Sequence, residues 1–130
     1  MKVETCILCS PELDEEQEIV FENDSCYFVK KEQRILKGSG LIVPKSHKVT
    51  VFDLSEKEWK DTQDLIHQVK SWLEETMAPD GYNIGYNCYE TGGQHIFHAH
   101  MHIIPRFNDE PHAGKGIRHW LKREENKRYI

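Results

Sequence analysis

The stretch His98-Ala99-His100-Met101-His102-Ile103-Ile104, closing in Pro105-Arg106, decides how the rest of the chain is read. Three histidines alternate with apolar residues. An extended strand sends successive side chains to opposite faces, so His98, His100 and His102 are expected on one face and Ala99, Met101 and Ile103 on the other. The second face reads as core. The first reads as chemistry, because a row of imidazoles near a core is costly unless each ring finds a partner. The pattern predicts a strand over 96–104, preceded by one over 82–87, with Thr91-Gly92-Gly93 between them.

Working outward, Ile19-Val20-Phe21 and Cys26-Tyr27-Phe28-Val29 read as two strands around the turn-like Glu22-Asn23-Asp24-Ser25, and Gly40–Pro44 as another. Ser55-Glu56-Lys57-Glu58 is a capping-box pattern, so a helix should begin there. Trp59, Thr62, Ile66, Val69 and Leu73 recur at spacings of three and four, widened by Leu65 and Trp72, and this stripe reads as core contact. Pro79 and Asp80-Gly81 should end the helix. A shorter helix is expected near 117–126. The expected class is α+β: an antiparallel sheet with one main helix and a short C-terminal helix, in a single domain over 1–130.

Composition fits that size. A chain of 130 residues, 38% hydrophobic and 30% charged, can bury one core and is too short for two ordinary domains. It has no apolar run near the roughly eighteen residues a membrane span needs, and Met1 is followed by no secretory pattern, so the expected location is cytoplasmic. A net charge of −5 argues against general nucleic-acid binding. The charge is uneven, however: eight acids and no Lys or Arg lie between Glu4 and Asp24, while Lys115, Arg118, Lys122, Arg123, Lys127 and Arg128 crowd the C-terminal part. Most of these read as solvated surface; Lys115 and Arg118 are candidates to reach an anionic substrate.

Cys6-Ile7-Leu8-Cys9 can set two sulfurs on one metal ion, although the same spacing serves a redox dithiol or two unrelated thiols. Cys26 and Cys88 stand alone, so any further ligands would be histidines. Permanent disulfides are not expected of cytosolic thiols. Taken on imidazole chemistry alone, His98, His100 and His102 could also hold a catalytic metal.

The triad run, preceded by Gly92-Gly93-Gln94, resembles the signature of the histidine triad (HIT) nucleotide hydrolases and transferases. Gly81-Tyr82-Asn83-Ile84-Gly85 with Asn87, and Leu41-Ile42-Val43-Pro44-Lys45-Ser46-His47, resemble earlier strands of that family in the family's order, and the whole most resembles the bacterial Cys-x-x-Cys branch. The resemblance implies a structural zinc on Cys6, Cys9, His47 and His98, and no catalytic metal. With His98 on the metal, it implies His100 as nucleophile, its tautomer set by the His98 carbonyl, attacking the α-phosphate to give a nucleotidyl-histidine that water hydrolyses. His102, Asn87 and Gln94 match family positions that contact phosphate or order the triad, and Gly93 would let backbone approach the substrate. His95 stands where a small hydroxyl residue is common, and imidazole can likewise donate to a leaving group. Two positions depart from the family near the nucleoside: Lys31 replaces a hydroxyl acceptor, and Gly38-Ser39 replaces Gly-His. The implied activity is hydrolysis of dinucleoside polyphosphates, nucleoside phosphoramidates or adenylylated metabolites by a homodimer with a continuous sheet. A nucleotidyl transferase and a non-catalytic nucleotide-binding or interaction protein are the alternatives.

Overall fold

The computed structural model describes residues 1–129. Five strands, β1 (Gln17–Glu22), β2 (Cys26–Lys31), β3 (Gly40–Pro44), β4 (Gly81–Tyr86) and β5 (Met101–Arg106), form one antiparallel sheet in the order β1-β2-β3-β5-β4. The β1–β2 turn falls where its composition predicts, because Asn23 Oδ1 accepts the Cys26 N–H at 3.0 Å and frees the chain to reverse.

Helix α1 (Glu56–Thr76) covers one face of the sheet. Its capping box is formed: Ser55 Oγ accepts the Glu58 N–H at 3.1 Å and Glu58 Oε1 accepts the Ser55 N–H at 2.8 Å. It ends at Met77, before Ala78 takes a left-handed φ of 49° ahead of Pro79. Leu65, Val69 and Leu73 pack on Cys26, Phe28, Ile42, Met101 and Ile103. The stripe is rotated from the expected one. Trp59 is 45% exposed, and Ile66 and Trp72 sit at the rim, because the first turns bury Glu58 and Asp61 instead. Asp61 Oδ2 accepts from Ser25 Oγ at 2.6 Å and from the Ser25 N–H at 3.1 Å, which pins the helix to the first hairpin.

The opposite face of the sheet is partly covered by the N-terminal arm, whose Leu8 packs with Tyr27, Val29 and Val43. Two expectations are corrected. Strand β5 begins only at Met101, so His98 and His100 lie outside the ladder. Their backbone is used elsewhere: the Ala99 N–H donates to the Lys48 carbonyl at 2.6 Å, and the His98 carbonyl accepts from the His100 ring. The alternation still sorts the faces, with Ala99, Met101 and Ile103 buried. The C-terminal helix shrinks to α2 (Arg118–Leu121) and a 3-10 turn at Glu124–Asn126. Ile117 supplies no side-chain cap, and with Trp120 and Leu121 it stays exposed, so no buried face extends the helix. Among the described residues no helix is long and apolar enough to cross a membrane.

Candidate metal centre and active site

Cys6 and Cys9 sit on the tight turns of the N-terminal arm, where the Cys9 N–H donates to Cys6 Sγ and the Val3 N–H to Cys9 Sγ, each at 3.3 Å. His47 follows β3 and His98 precedes β5. One donor atom from each of these four residues lies within 4.8 Å of the others. Cys9 Sγ is 3.3 Å from His47 Nδ1 and 3.4 Å from His98 Nδ1, and Cys6 Sγ is 3.5 Å from His98 Nδ1. Ligands held at about 2.0–2.3 Å from a tetrahedral ion stand roughly 3.3–3.8 Å apart, and these three separations have the dimensions of such a site. The His98 ring is oriented for it. Its Nε2–H donates to the Pro44 carbonyl at 2.8 Å, which leaves the Nδ1 lone pair facing the sulfurs. Burial, opposed by that carbonyl, pushes the His98 pKa down to about 4, so the ring is neutral. Burial also raises the Cys9 thiol, with Cys6 beside it; a cation would reverse that preference. This donor set fits a bound divalent metal.

Beside the cluster, a cleft of about 370 Å³ opens on the face away from α1. Its apolar wall is Ile7, Val29, Leu36, Leu41 and Ile104, and its polar end is Gly93, His95, His100 and His102. The buried His100 ring is tethered through Nδ1, which donates to the His98 carbonyl at 2.7 Å. A carbonyl only accepts, so Nδ1 carries a proton, and in the neutral ring the lone pair is on Nε2. The ring of His102 lies 5.0 Å away, with its Nε2 buried and without a partner among the described residues. Burial, then His100, lowers the His102 pKa.

The other expected residues divide. His95 is exposed at the cleft mouth, and Gly93, at φ +94°, presents backbone there in a conformation that side chains resist. Asn87 is exposed just beyond β4, about van der Waals distance from where a Gly93 Cβ would stand. Gln94, expected at phosphate, is buried and committed to main chain: Oε1 accepts the Tyr89 N–H at 2.8 Å, and Nε2 donates to the carbonyls of Val49 and Ile96 at 2.6 and 3.1 Å. It braces the loop that carries His95. Lys31 lines the cleft but is paired with Asp14 at 2.9 Å. Asp14, Gln17 and Ile7 were not singled out by the sequence, and the acidic composition around them gave no reason to.

A family model described as HIT domain matches residues 12–109. Among curated proteins, "Protein hit" of Bacillus subtilis is 30% identical, over 80% of this chain and 72% of its own. Adenosine 5'-monophosphoramidase hnt1 of Schizosaccharomyces pombe is 32% identical over 62% of this chain and 57% of its own. The bis(5'-adenosyl)-triphosphatase of Dictyostelium discoideum is 30% identical over 74% and 64%. In solved structures, a HIT family protein from Bacillus anthracis superposes with a TM-score of 0.73 at 26% identity, covering 83% of this chain and 77% of that one. A Zn-bound histidine triad family protein from Mycobacterium smegmatis shares the fold, with a TM-score of 0.72 at 23% identity over 83% and 79%.

Proposed function

The chain belongs to the HIT domain family, and from that premise we propose that it hydrolyses nucleotide phosphoanhydrides or phosphoramidates at the α-phosphate through a nucleotidyl intermediate on His100. One observation carries the reading: the 2.7 Å bond from His100 Nδ1–H to the His98 carbonyl leaves Nε2 as a lone-pair nitrogen on a residue that lines the cleft. Relatives named as a phosphoramidase and a triphosphatase support the substrate class.

Nε2 of His100 attacks the α-phosphorus while the bond to the leaving oxygen or nitrogen breaks, and protonated His95 gives its proton to that atom. Positive charge on the His100 ring is shared with the His98 carbonyl through the Nδ1 proton. His102 Nε2, which has no partner among the described residues, and the Asn87 amide beside Gly93 can donate to the non-bridging oxygens, and the Gly93 backbone approaches them. Water then attacks phosphorus, His95 takes the proton back, the phosphorus–nitrogen bond breaks, and a nucleoside monophosphate leaves. The apolar wall suits a base. No step uses a metal. The Cys6, Cys9, His47 and His98 set suits zinc, whose charge would hold the thiolates and the N-terminal arm against the triad.

Strand β4 is an open sheet edge with Ile84 41% exposed, and a second copy pairing there would make a continuous sheet in a homodimer, which sedimentation tests. Reduced thiols at Cys26 and Cys88 suit the cytoplasm. The catalytic reading is tested by acid-quench mass spectrometry during turnover of adenosine 5'-phosphoramidate in labelled water. A nucleotidyl adduct on His100 and label in the released monophosphate are expected. Product formed with no adduct on any timescale overturns the covalent route, and unlabelled nucleotide joined to another acceptor favours a transferase.

A further inference from the structure

The basic C-terminal segment has no part in the chemistry above, yet it is held against the histidine face. Arg106, at the end of β5, donates to the carbonyls of Lys115 and His112 at 2.9 Å each and to the Asn83 side chain. From there the segment runs along β4: Gly116 lies beside Asn83, and a Cβ on Gly85 would stand 3.7 Å from Ile117 Cδ1. Gly85 is the register partner of His102, and opposed residues of an antiparallel pair project on the same face. Tyr82 and Tyr86 pack toward α1, so Gly85 and the segment over it are on the cleft side. The sheet order sets the apolar cleft on the β3 flank of His102 and this segment on the β4 flank.

There the segment gathers cations around one ring. The Arg123 guanidinium is 4.3 Å and Lys115 Nζ 5.7 Å from the centre of Trp120, and His119 and His112 meet the ring edge-on at 4.7 and 6.1 Å. Lys115 donates to His112 Nδ1 and Arg123 to His119 Nε2, each at 3.2 Å. Among the described residues beyond Arg106, the only ion pairs are Arg106–Glu110 and Lys127–Glu124, so Lys115, Arg118 and Arg123 have no carboxylate partner. Like charges repel when gathered this closely, and an exposed ring offsets that repulsion only in small part. A multiply charged anion is the ligand that such a cluster suits.

We propose that Lys115 and Arg123, arrayed on Trp120, form a leaving-group subsite for an oligophosphate chain. The assignment rests on the reading of His100 as nucleophile. With the nucleoside in the apolar cleft and the α-phosphorus at His100, the remainder of the substrate extends over the β4 flank, where these cations lie. Phosphoanhydrides with a charged leaving group are therefore favoured over phosphoramidates that release an uncharged amine.

The test is the ratio of kcat/KM for diadenosine triphosphate to that for adenosine 5'-phosphoramidate, in wild type and in the Lys115→Ala/Arg123→Ala double variant. Loss of two charge-assisted contacts should lower this ratio at least about tenfold, chiefly through KM of the triphosphate. An unchanged ratio overturns the subsite. Calorimetric titration with inorganic tripolyphosphate reads the same cations without turnover: weaker binding by the double variant is expected, and equal binding overturns the proposal even if the triphosphate ratio falls. A missing His100 adduct would instead remove the catalytic reading, while the titration still judges the cluster.

Discussion

The position of one proton on His100 separates a nucleophile from a structural imidazole, and main chain fixes it rather than another side chain. Replacing His100 by Ala removes the attacking atom but breaks only that side-chain bond, so turnover should fall by several orders of magnitude while urea stability changes by about 1–2 kcal/mol. Near-wild-type turnover in that variant would rule out the mechanism. Gln94 behaves in the opposite way. Gln94 is itself buried, and its removal leaves the Tyr89 N–H and the Val49 carbonyl without their partner in a part-buried setting, so Gln94→Ala should cost about 1–3 kcal/mol, seen as a lower urea midpoint. The spacing of the triad made the candidate histidines legible, because alternation is a local property. The role of Gln94 was not, because its amide is aimed by a loop that turns through a left-handed Tyr89 and closes on Val49, 45 residues earlier.

At the level of elements, the helix start was legible because a capping box is four consecutive residues, whereas the face that α1 buries depended on contacts distant in sequence. Glu58 and Asp61 turn inward to meet Lys48 and Ser25, and no helical periodicity encodes that. Strand β5 is shorter than its alternation predicts for a related reason: alternation continues through His98 and His100, but the backbone there leaves the ladder for Lys48. The Glu58 contact has a measurable pH signature. Burial pushes its carboxyl up, but the Ser55 N–H and Lys48 outweigh this and hold it below its ordinary value. A depressed carboxylate stabilises the fold above its unfolded pKa, and that contribution is lost as pH falls through the folded value. Glu58→Gln should therefore be less stable than wild type by about 1 kcal/mol at pH 7, with the gap closing under acid. Urea unfolding of both proteins at neutral and acidic pH measures it; a gap that stays constant would mean the charge of Glu58 contributes nothing.

Across the whole molecule, the N-terminal arm is joined to the face that carries His100 at the Cys/His cluster. The Met1 carbonyl accepts the His47 N–H at 2.6 Å, the Tyr27 hydroxyl donates to the Leu8 carbonyl, and Ile7, between the two cysteines, forms part of the cleft wall. A metal at Cys6, Cys9, His47 and His98 would thus hold one wall of the cleft, and in the proposed mechanism it would do so without touching phosphorus. Its removal should act through geometry, because a loosened Ile7 weakens the nucleoside contact while His100 keeps its tether to His98. Wild-type protein is expected to carry one zinc per chain by elemental analysis, and stripping it with a chelator should lower Tm and raise KM for adenosine 5'-phosphoramidate more than it lowers kcat. Folding and metal loading are linked, so the kinetics belong well below the Tm of the stripped protein. A catalytic metal would give the contrary pattern, with kcat lost in proportion to metal while Tm stayed constant, since the ion would then be part of the reacting centre and not of the scaffold. The adduct on His100 should persist in the stripped protein at saturating substrate; its disappearance with the fold intact would assign the metal to the chemistry.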